Sequence, residues 1–220
     1  MDVVSKSLVR GSADLMRTPS VSKEGIGLVS KFLPDYAQLV AEGRVWRVQE
    51  ASATASVVAL PTTASLFTVA NNEPDDGLWY VGLAAYAFNS ANAAAIDYFS
   101  LAACVSQMSA LTGGTDPTLA QDIARTSVKS MLGVRGGRYA GNAVVDTGVT
   151  ITDDLWFPLG NGSGSTAVNS GTGAAIWFWM NGLIVLPPKA VVGFVSTATS
   201  TSNTTRKGFI WAEVPKSYLL

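Results

Sequence analysis

Two pairs of adjacent carboxylates are the side chains of this sequence whose type and spacing first suggest catalysis. They are Asp75-Asp76 and Asp153-Asp154, and the second pair lies close to Trp156. A glycosidase holds two carboxyl groups about 5–10 Å apart across a glycosidic bond, and aromatic side chains commonly form platforms for sugars. A carboxylate-only glycan hydrolase acting through Asp153 or Asp154 is therefore one hypothesis.

Turn formation is the simpler interpretation of both pairs. Adjacent side chains on an extended strand point to opposite faces, so neither pair presents two carboxylates to one substrate. Residues 74–77, Pro-Asp-Asp-Gly, have the composition of a turn in which Asp accepts hydrogen bonds from nearby backbone amides. We predict turns at both pairs, with calcium bound by Asp and backbone oxygens as the alternative.

Three glycine-rich stretches, at residues 113–114, 133–137 and 160–164, raise the possibility of a phosphate-binding loop. None of them matches the pattern G-x-x-x-x-G-K-[ST], and none forms a strand-G-x-G-x-x-G-helix unit. We interpret all three as loops between secondary-structure elements.

Four clustered basic residues could contact nucleic acid or an acidic partner surface. They are Arg125, Lys129, Arg135 and Arg138. Such a group is more typical of a solvated helix face or of the rim of an interface. The formal net charge of -1 also argues against a chain whose main role is to bind nucleic acid. We predict that nucleic acid is not a partner.

The sequence contains no His and a single Cys, Cys104. This composition excludes a Ser-His-Asp triad, a Cys-His pair, an imidazole metal ligand and an internal disulfide. Cys104 lies in the apolar stretch 99–105 and is expected to be a small buried core residue. We predict that the protein is not an enzyme, with no catalytic, cofactor-binding or metal-binding residue and no cofactor.

Charged residues make up 14% of the 220 residues, whereas about a quarter is typical of globular chains. Such a chain does not cover itself with solvated charge, and we expect part of its surface to contact other protein. No apolar run approaches the ~18 residues of a membrane span, and the first residues lack the apolar core of a signal peptide. We expect synthesis in a cytoplasm and no membrane partner.

The charge pattern divides the chain into an arm and a domain. Residues 1–42 carry mixed charges and the breakers Pro19, Gly25, Gly27 and Pro34, with too few apolar residues for a core of their own. We predict an extended N-terminal arm over 1–42, lying on a neighbouring subunit rather than on its own domain. Residues 43–220 form the second predicted unit, one compact domain.

From Gly43 onward the spacing of turn-forming residues between apolar segments is that of an all-β protein. Short segments rich in Val, Ile, Trp, Phe and Thr alternate with Gly, Asn, Pro and Asp, which is typical of a sandwich or jelly roll. The predicted strands are Arg44–Glu50, Ser56–Leu60, Leu66–Val69, Leu78–Phe88, Ala95–Gln107, Ala143–Ile151, Leu155–Pro158, Ala174–Met180, Leu183–Leu186, Val191–Thr197 and Phe209–Val214.

Two local features stand out within this pattern. Asp116 as N-cap, Pro117 at the first helical position and Gly133 as C-terminal cap predict one short inserted helix. Asn181-Gly182 lies between two apolar runs, and this dipeptide predicts a hairpin because a type I′ turn needs positive φ twice.

The run 174–180 is apolar without alternation, which predicts a strand covered on both faces, with a partner subunit as one cover. The tryptophans are expected in the core or at a subunit interface rather than at a ligand site. This expectation concerns Trp79, Trp156, Trp177, Trp179 and Trp211.

Four segments together resemble structural proteins of tailed bacteriophage virions. They are residues 60–63 (Leu-Pro-Thr-Thr), 153–160 (Asp-Asp-Leu-Trp-Phe-Pro-Leu-Gly), 181–188 (Asn-Gly-Leu-Ile-Val-Leu-Pro-Pro) and 211–214 (Trp-Ala-Glu-Val). The third segment is similar to a step before the last strands of jelly-roll decoration and fibre-head domains, and the fourth is similar to the ending of that group. The resemblance covers about residues 55–215 and leaves the arm unmatched.

The resemblance implies a non-enzymatic virion subunit, often trimeric, placed on a capsid or tail. Together with the low charge it leads us to expect a jelly-roll-like β-sandwich that acts as a capsid decoration or cement subunit. Its expected partners are further copies of itself, with a homotrimer favoured, and the major capsid or another virion protein. The alternative is a tail or fibre component that recognises a host surface glycan through loops such as 160–173 and 198–206.

Overall fold

The computed structural model describes residues 20–21, 27–28, 36–50, 52–59, 64–65, 67–91, 97–112, 128–132, 143–146, 149–151, 155–164, 175–198, 201 and 203–219. The chain divides into two units, Met1–Gln38 and Leu39–Leu220. In the first unit, strands β1 (Ser20–Val21) and β2 (Gly27–Leu28) pair antiparallel. The arm predicted over residues 1–42, and its placement on a neighbour, stay predictions.

The elements that follow are almost all strands. In chain order they are α1 (Ala37–Ala41), β3 (Val45–Gln49), β4 (Thr54–Ala55), β5 (Ala64–Ser65), β6 (Phe67–Asn71), β7 (Trp79–Ala91), β8 (Asp97–Gln107), β9 (Leu111–Thr112), β10 (Lys129–Ser130), β11 (Ala143–Asp146), β12 (Val149–Ile151), β13 (Phe157–Gly164), β14 (Ala175–Trp179), β15 (Val185–Leu186), β16 (Ala190–Ala198) and β17 (Thr204–Val214). Short 3₁₀ segments cover Met108–Ala110 and Lys216–Tyr218.

The strands form two large antiparallel sheets and one small one. The seven-stranded sheet has the order β10-β3-β17-β7-β14, with β15 also pairing with β7 and β4 with β17. The five-stranded sheet has the order β11-β6-β16-β8-β13, and the three-stranded sheet has the order β5-β12-β9. Successive strands alternate between the two large sheets at β6–β7–β8, β13–β14 and β16–β17, as in a jelly roll. The predicted all-β sandwich is confirmed.

Aromatic side chains fill the space between the two large sheets. Phe194 of the five-stranded sheet contacts Phe209 of the seven-stranded sheet, with ring centroids 5.4 Å apart. Phe209 stacks on Trp211 at 5.6 Å, and Trp211 stacks on Tyr80 at 5.7 Å. Each of these four rings is at most 1% exposed, so they form the centre of the core. Burying a ring of this size contributes about 1.5–3 kcal/mol.

The small sheet covers part of the outer face of the five-stranded sheet. Cys104, Ala70 and Val191 point away from the main core and pack with Ile151 of β12 in a second apolar cluster. Both faces are therefore covered at β6, where every residue is buried, whereas Tyr98 of β8 is 66% exposed. The free thiol of Cys104 is 0% exposed, in agreement with its predicted core position.

A buried ion pair lies at one end of the core. Lys207 Nζ is 3.0 Å from Glu50 Oε2, and the two side chains are 0% and 1% exposed. Lys207 Nζ also donates to Thr54 Oγ1 at 2.7 Å, and the Lys207 backbone N–H donates to the Glu50 carboxylate at 2.7 Å. Burial raises the pKa of Glu50 and lowers the pKa of Lys207, because lost hydration disfavours both charged forms. The added hydrogen bonds offset that cost.

The predicted inserted helix is wrong at its C-terminal end. Residues 129–130 form β10, which pairs with Arg47 and Trp46 of β3, so the chain there is extended. Residues 116–127 of the predicted helix and its C-terminal cap Gly133 lie outside the described residues. Sheet pairing in the fold takes precedence over the local cap pattern, since propensity alone is a weak constraint.

The predicted hairpin at Asn181-Gly182 is also wrong, although its backbone geometry is present. Asn181 has φ 47° and Gly182 has φ 86°, as a type I′ turn requires. However, β14 and β15 do not pair with each other, because both pair with β7. The turn is an excursion of residues 180–184 after which the chain returns to the same partner strand.

Lys207→Met tests the buried ion pair. The change leaves the Glu50 carboxylate buried without a counter-charge, so we expect the free energy of unfolding to fall by about 3–5 kcal/mol. The double variant Lys207→Met/Glu50→Gln should recover most of that loss, since it removes the uncompensated charge. Urea denaturation at pH 7 measures both, with Lys216→Met on the exposed surface as the control. A loss no larger than that of Lys216→Met would contradict the assignment.

Candidate functional site

The outer face of the seven-stranded sheet is the surface on which chemically distinctive side chains meet. Cross-strand registry places Lys129 opposite Arg47, and Tyr86 opposite Trp177. We call this surface the cationic–aromatic face and define it by Arg47, Gln49, Tyr86, Lys129, Trp177 and Trp179.

Alternation along β14 places two tryptophans on this face. Ile176 is buried in the main core and Phe178 packs against it, whereas Trp177 and Trp179 are 48% and 60% exposed. The core covers one face of residues 175–179, as expected, and cover of the other face by a partner subunit stays a prediction. A period of two with apolar residues at every position leaves two indoles facing outward.

Tyr86 organises the aromatic part of the face. Its ring lies directly over Gly208 of β17, in space that any Cβ at that position would need. The ring is parallel to that of Trp177 within 8°, with centroids 5.2 Å apart, and Trp179 meets Trp177 edge-on at 5.4 Å. Because Tyr86 covers one face of the Trp177 indole, the exposed part of that indole is its other face and its edge.

The cationic part of the face borders a cavity of about 160 Å³ lined by Arg47, Val48, Gln49, Tyr86 and Lys129. Tyr86 Oη donates to Gln49 Oε1 at 3.2 Å. Burial raises the pKa of Tyr86, which nearby Arg47 opposes, so the phenol keeps its proton at neutral pH. The cavity therefore offers two cations, an amide and a phenol, which suits an anion more than a cation.

The sequence also pointed to two pairs of adjacent carboxylates. Asp75 and Asp76 are exposed in a turn closed by Gly77 N–H donating to Pro74 O at 2.7 Å, so the predicted turn is confirmed there. Asp153 and Asp154 lie outside the described residues. The turn is therefore confirmed for the first pair and untested for the second, and a hydrolase acting through Asp153 or Asp154 remains a hypothesis.

The glycine and basic clusters have mixed outcomes. Residues 160–164, predicted to be a loop, belong to β13 and pair with residues 97–101 of β8, so that prediction is wrong. The other two glycine-rich stretches, 113–114 and 133–137, lie outside the described residues. Of the four clustered basic residues Lys129 is described and reaches the cationic–aromatic face, while the remaining three, Arg125, Arg135 and Arg138, lie outside the described residues.

The tryptophans divide between core and surface. Trp211 is 0% exposed and lies in the core. Trp79 and Trp156 are half-buried, and Trp156 packs on the second apolar cluster. Arg47, Gln49 and Tyr86 were not predicted from the sequence. The alternation of polar Arg47 and Gln49 around apolar Val48 would have placed Arg47 and Gln49 on the outer face of a strand.

A second buried titratable group lies at the opposite end of β17 from Lys207. Glu213 is 2% exposed and accepts a hydrogen bond from Trp211 Nε1 at 3.3 Å. Burial raises its pKa to about 9, the Trp211 hydrogen bond opposes that rise, and the negative charge of Glu73 adds to it. The carboxyl group is therefore protonated at neutral pH, which places it in the core as a neutral polar group.

Within the ranges that the structure describes, no group of three or more His, Cys, Asp or Glu side chains is placed to hold a metal ion. No helix in those ranges has the length and apolar character needed to cross a membrane.

Comparison with known proteins gives weak structural similarities to chains of viruses. No protein-family model matches the chain, and no curated protein matches it. A chain of turnip yellow mosaic virus is 10% identical with a TM-score of 0.20, and 90% of each chain is covered. A chain from the native virion of Kashmir bee virus is 12% identical with a TM-score of 0.18, covering 98% of this chain and 95% of that one.

A chain from a semi-empty VLP of the giant freshwater prawn Macrobrachium rosenbergii nodavirus is 11% identical with a TM-score of 0.16. It covers 77% of this chain and 96% of that one. TM-scores of this size do not establish a shared fold, so the fold assignment rests on the sheets themselves.

Glu213→Gln tests the neutral buried carboxyl group. Between the ordinary pKa of 4.5 and about 9 the folded chain keeps the Glu213 proton that the unfolded chain releases. Stability should therefore fall as pH rises through this window, by about 1.4 kcal/mol per pH unit. Glutamine is permanently neutral, so the variant should lose up to about 4 kcal/mol less than wild type between pH 5 and pH 8. Denaturation at both pH values measures this, and parallel pH profiles would contradict it.

Proposed function

We propose that this chain is a structural, non-enzymatic subunit of a virus particle, which acts as a decoration or cement subunit on the capsid. The observation that carries the proposal is the difference between the outer faces of the two large sheets. The small sheet covers the five-stranded sheet around Cys104, whereas the seven-stranded sheet leaves Trp177 and Trp179, which contact each other, 48% and 60% exposed. Exposed apolar patches with a polar rim mark sites of protein contact.

The resemblance to phage virion proteins supports the proposal through residues that now have structural roles. Trp211 of the closing segment stacks between Phe209 and Tyr80 in the core. Asn181 and Gly182 of the third segment form the positive-φ excursion beside β7. These segments therefore belong to the framework of the sandwich, as they would in a domain of that kind.

The proposed mechanism is thermodynamic. A subunit that binds the assembled shell and not the loose coat subunits shifts the equilibrium toward the shell, by about 2.7 kcal/mol per site at a free concentration 100 times its Kd. The proposed partners are further copies of the chain, with a trimer favoured, and the major capsid or another virion protein. The proposed location is the virion.

Recognition of a host surface glycan is the second candidate, and one observation favours it. Tyr86 stacks on Trp177 and also lines the polar cavity with Arg47 and Gln49, and aromatic side chains with a few polar groups typify ligand sites. The loops expected to bind the glycan, 160–173 and 198–206, are partly strand: residues 160–164 belong to β13, and residues 204–206 belong to β17. In this second candidate function the glycan binds the cationic–aromatic face.

Rebinding to virus particles tests the proposal. The full chain should co-sediment with assembled particles of its source virus that have been stripped of it, and not with their dissociated coat subunits. It should also raise the temperature at which the particles release their genome. Trp177→Ala/Trp179→Ala should weaken particle binding at least tenfold, a loss of about 1.4 kcal/mol or more.

Val58→Ala is the control for this test, because Val58 is 66% exposed and lies outside the cationic–aromatic face. It should bind particles as wild type does. Binding to a purified host polysaccharide without binding to particles would overturn the cement role in favour of glycan recognition.

A further inference from the structure

Two like charges face each other on the cationic–aromatic face, and no described residue forms an ion pair with either. Arg47 and Lys129 are direct cross-strand partners, and both are exposed. Like charges placed directly opposite each other destabilise a sheet. The pair borders the cavity of about 160 Å³, which is large enough for carboxylate side chains.

The complementary charge is present on the same chain. Asp75 and Asp76 are adjacent, exposed and without an ion pair to any described residue. Their turn is fixed in place, because Asn71 Nδ2 donates to both Leu78 O and Leu186 O at 2.9 Å. Two unpaired cations on one surface and two unpaired anions on a rigid turn form complementary halves of a contact.

Each of the two surfaces also carries an apolar part beside its charged part. On the cationic–aromatic face, four strand spacings separate Lys129 from Trp179, about 19 Å. On the other surface, Leu183 is 69% exposed and follows Gly182, whose N–H donates to Gly82 O. Six residue steps join Asp76 to Gly82, so the two residues lie no more than about 20 Å apart.

We propose that a second copy of this chain docks its Asp75-Asp76 turn on Arg47 and Lys129 and places Leu183 against Trp177 and Trp179. This deepens the proposed role as a virion subunit and rests on it, since it names the partner of the open face. The contact is heterologous when each copy docks its turn on one neighbour and receives the turn of another neighbour on its own cationic–aromatic face. Such contacts close into rings when the rotation between copies allows it, and a ring of three copies is the trimer favoured above.

Two other occupants fit the face less well. A single-stranded nucleic acid needs a row of cations that follows its backbone, and among the described residues Arg47 and Lys129 are the two cations that line the cavity, on a chain of net charge -1. An acidic glycan would satisfy the cations and stack on Trp177, but it leaves Asp75, Asp76 and Leu183 without a role. The second copy accounts for all of them.

Charge exchange between full-length variants tests the docking. Arg47→Glu/Lys129→Glu leaves both surfaces acidic, and Asp75→Lys/Asp76→Lys leaves both basic. Wild type should self-associate in sedimentation velocity, more weakly at 0.5 M than at 0.1 M salt because screening weakens ion pairs between exposed groups. Each variant alone should associate at least tenfold more weakly than wild type, and an equimolar mixture of the two should regain association.

Lys216→Glu is the matched control, a charge reversal on an exposed lysine outside both surfaces, and it should associate as wild type does. Circular dichroism of each variant checks that it is folded. If folded variants associate as wild type does, or if their mixture stays monomeric, the charged contact is overturned. Wild type that is monomeric at 0.1 M salt also overturns the docking, and binding of polygalacturonate that depends on Trp177 would then identify an acidic glycan as the occupant.

The particle assay separates this proposal from the role on which it rests. If the chain stays monomeric yet co-sediments with particles, the docking is overturned and the virion role is kept. If the chain passes the charge-exchange test yet does not bind particles, the virion role is overturned and the docking is kept.

Discussion

The inner side of β17 is the constraint on which the rest of the sandwich depends. This strand pairs with both β3 and β7, and its inward residues run from Lys207 through Phe209 and Trp211 to Glu213. The middle is aromatic and drives burial, while each end carries a titratable group out of water. One end is stabilised by an ion pair with Glu50, the other by keeping its carboxyl group protonated. The two sheets can pack together only if the ion pair forms at one end of β17 and the Glu213 carboxyl group stays protonated at the other.

The outer faces of the two large sheets differ in how their apolar side chains are covered. On the five-stranded sheet, the short strands β5, β9 and β12 supply an apolar cover, so Cys104 and its neighbours are buried within the chain. On the seven-stranded sheet, Trp177 and Trp179 of β14 remain in contact with solvent.

Much of the fold was predictable from sequence, because β-branched and aromatic runs between Gly, Asn and Pro mark strands without help from distant contacts. The strands β3, β7, β8, β14 and β16 begin and end within a few residues of their predicted bounds. Partner choice was not predictable: the Asn181-Gly182 turn has the expected dihedral angles, yet β7 is the common partner of both flanking strands. The grouping of the site residues was not predicted, since Arg47, Lys129 and Trp177 come onto one face only through strand registry across five strands.

Gly208 links the aromatic side chains of the surface to the central strand β17, and this link constrains which residues can change during evolution. The Tyr86 ring occupies the space of its absent side chain, so any other residue at position 208 displaces the ring. Tyr86 in turn supports Trp177 on one side and hydrogen-bonds Gln49 on the other. Positions 86 and 208 should therefore change together among descendants of this sequence. A lineage that adopts a different surface partner should show that adoption in the middle of β17 as well as at the surface.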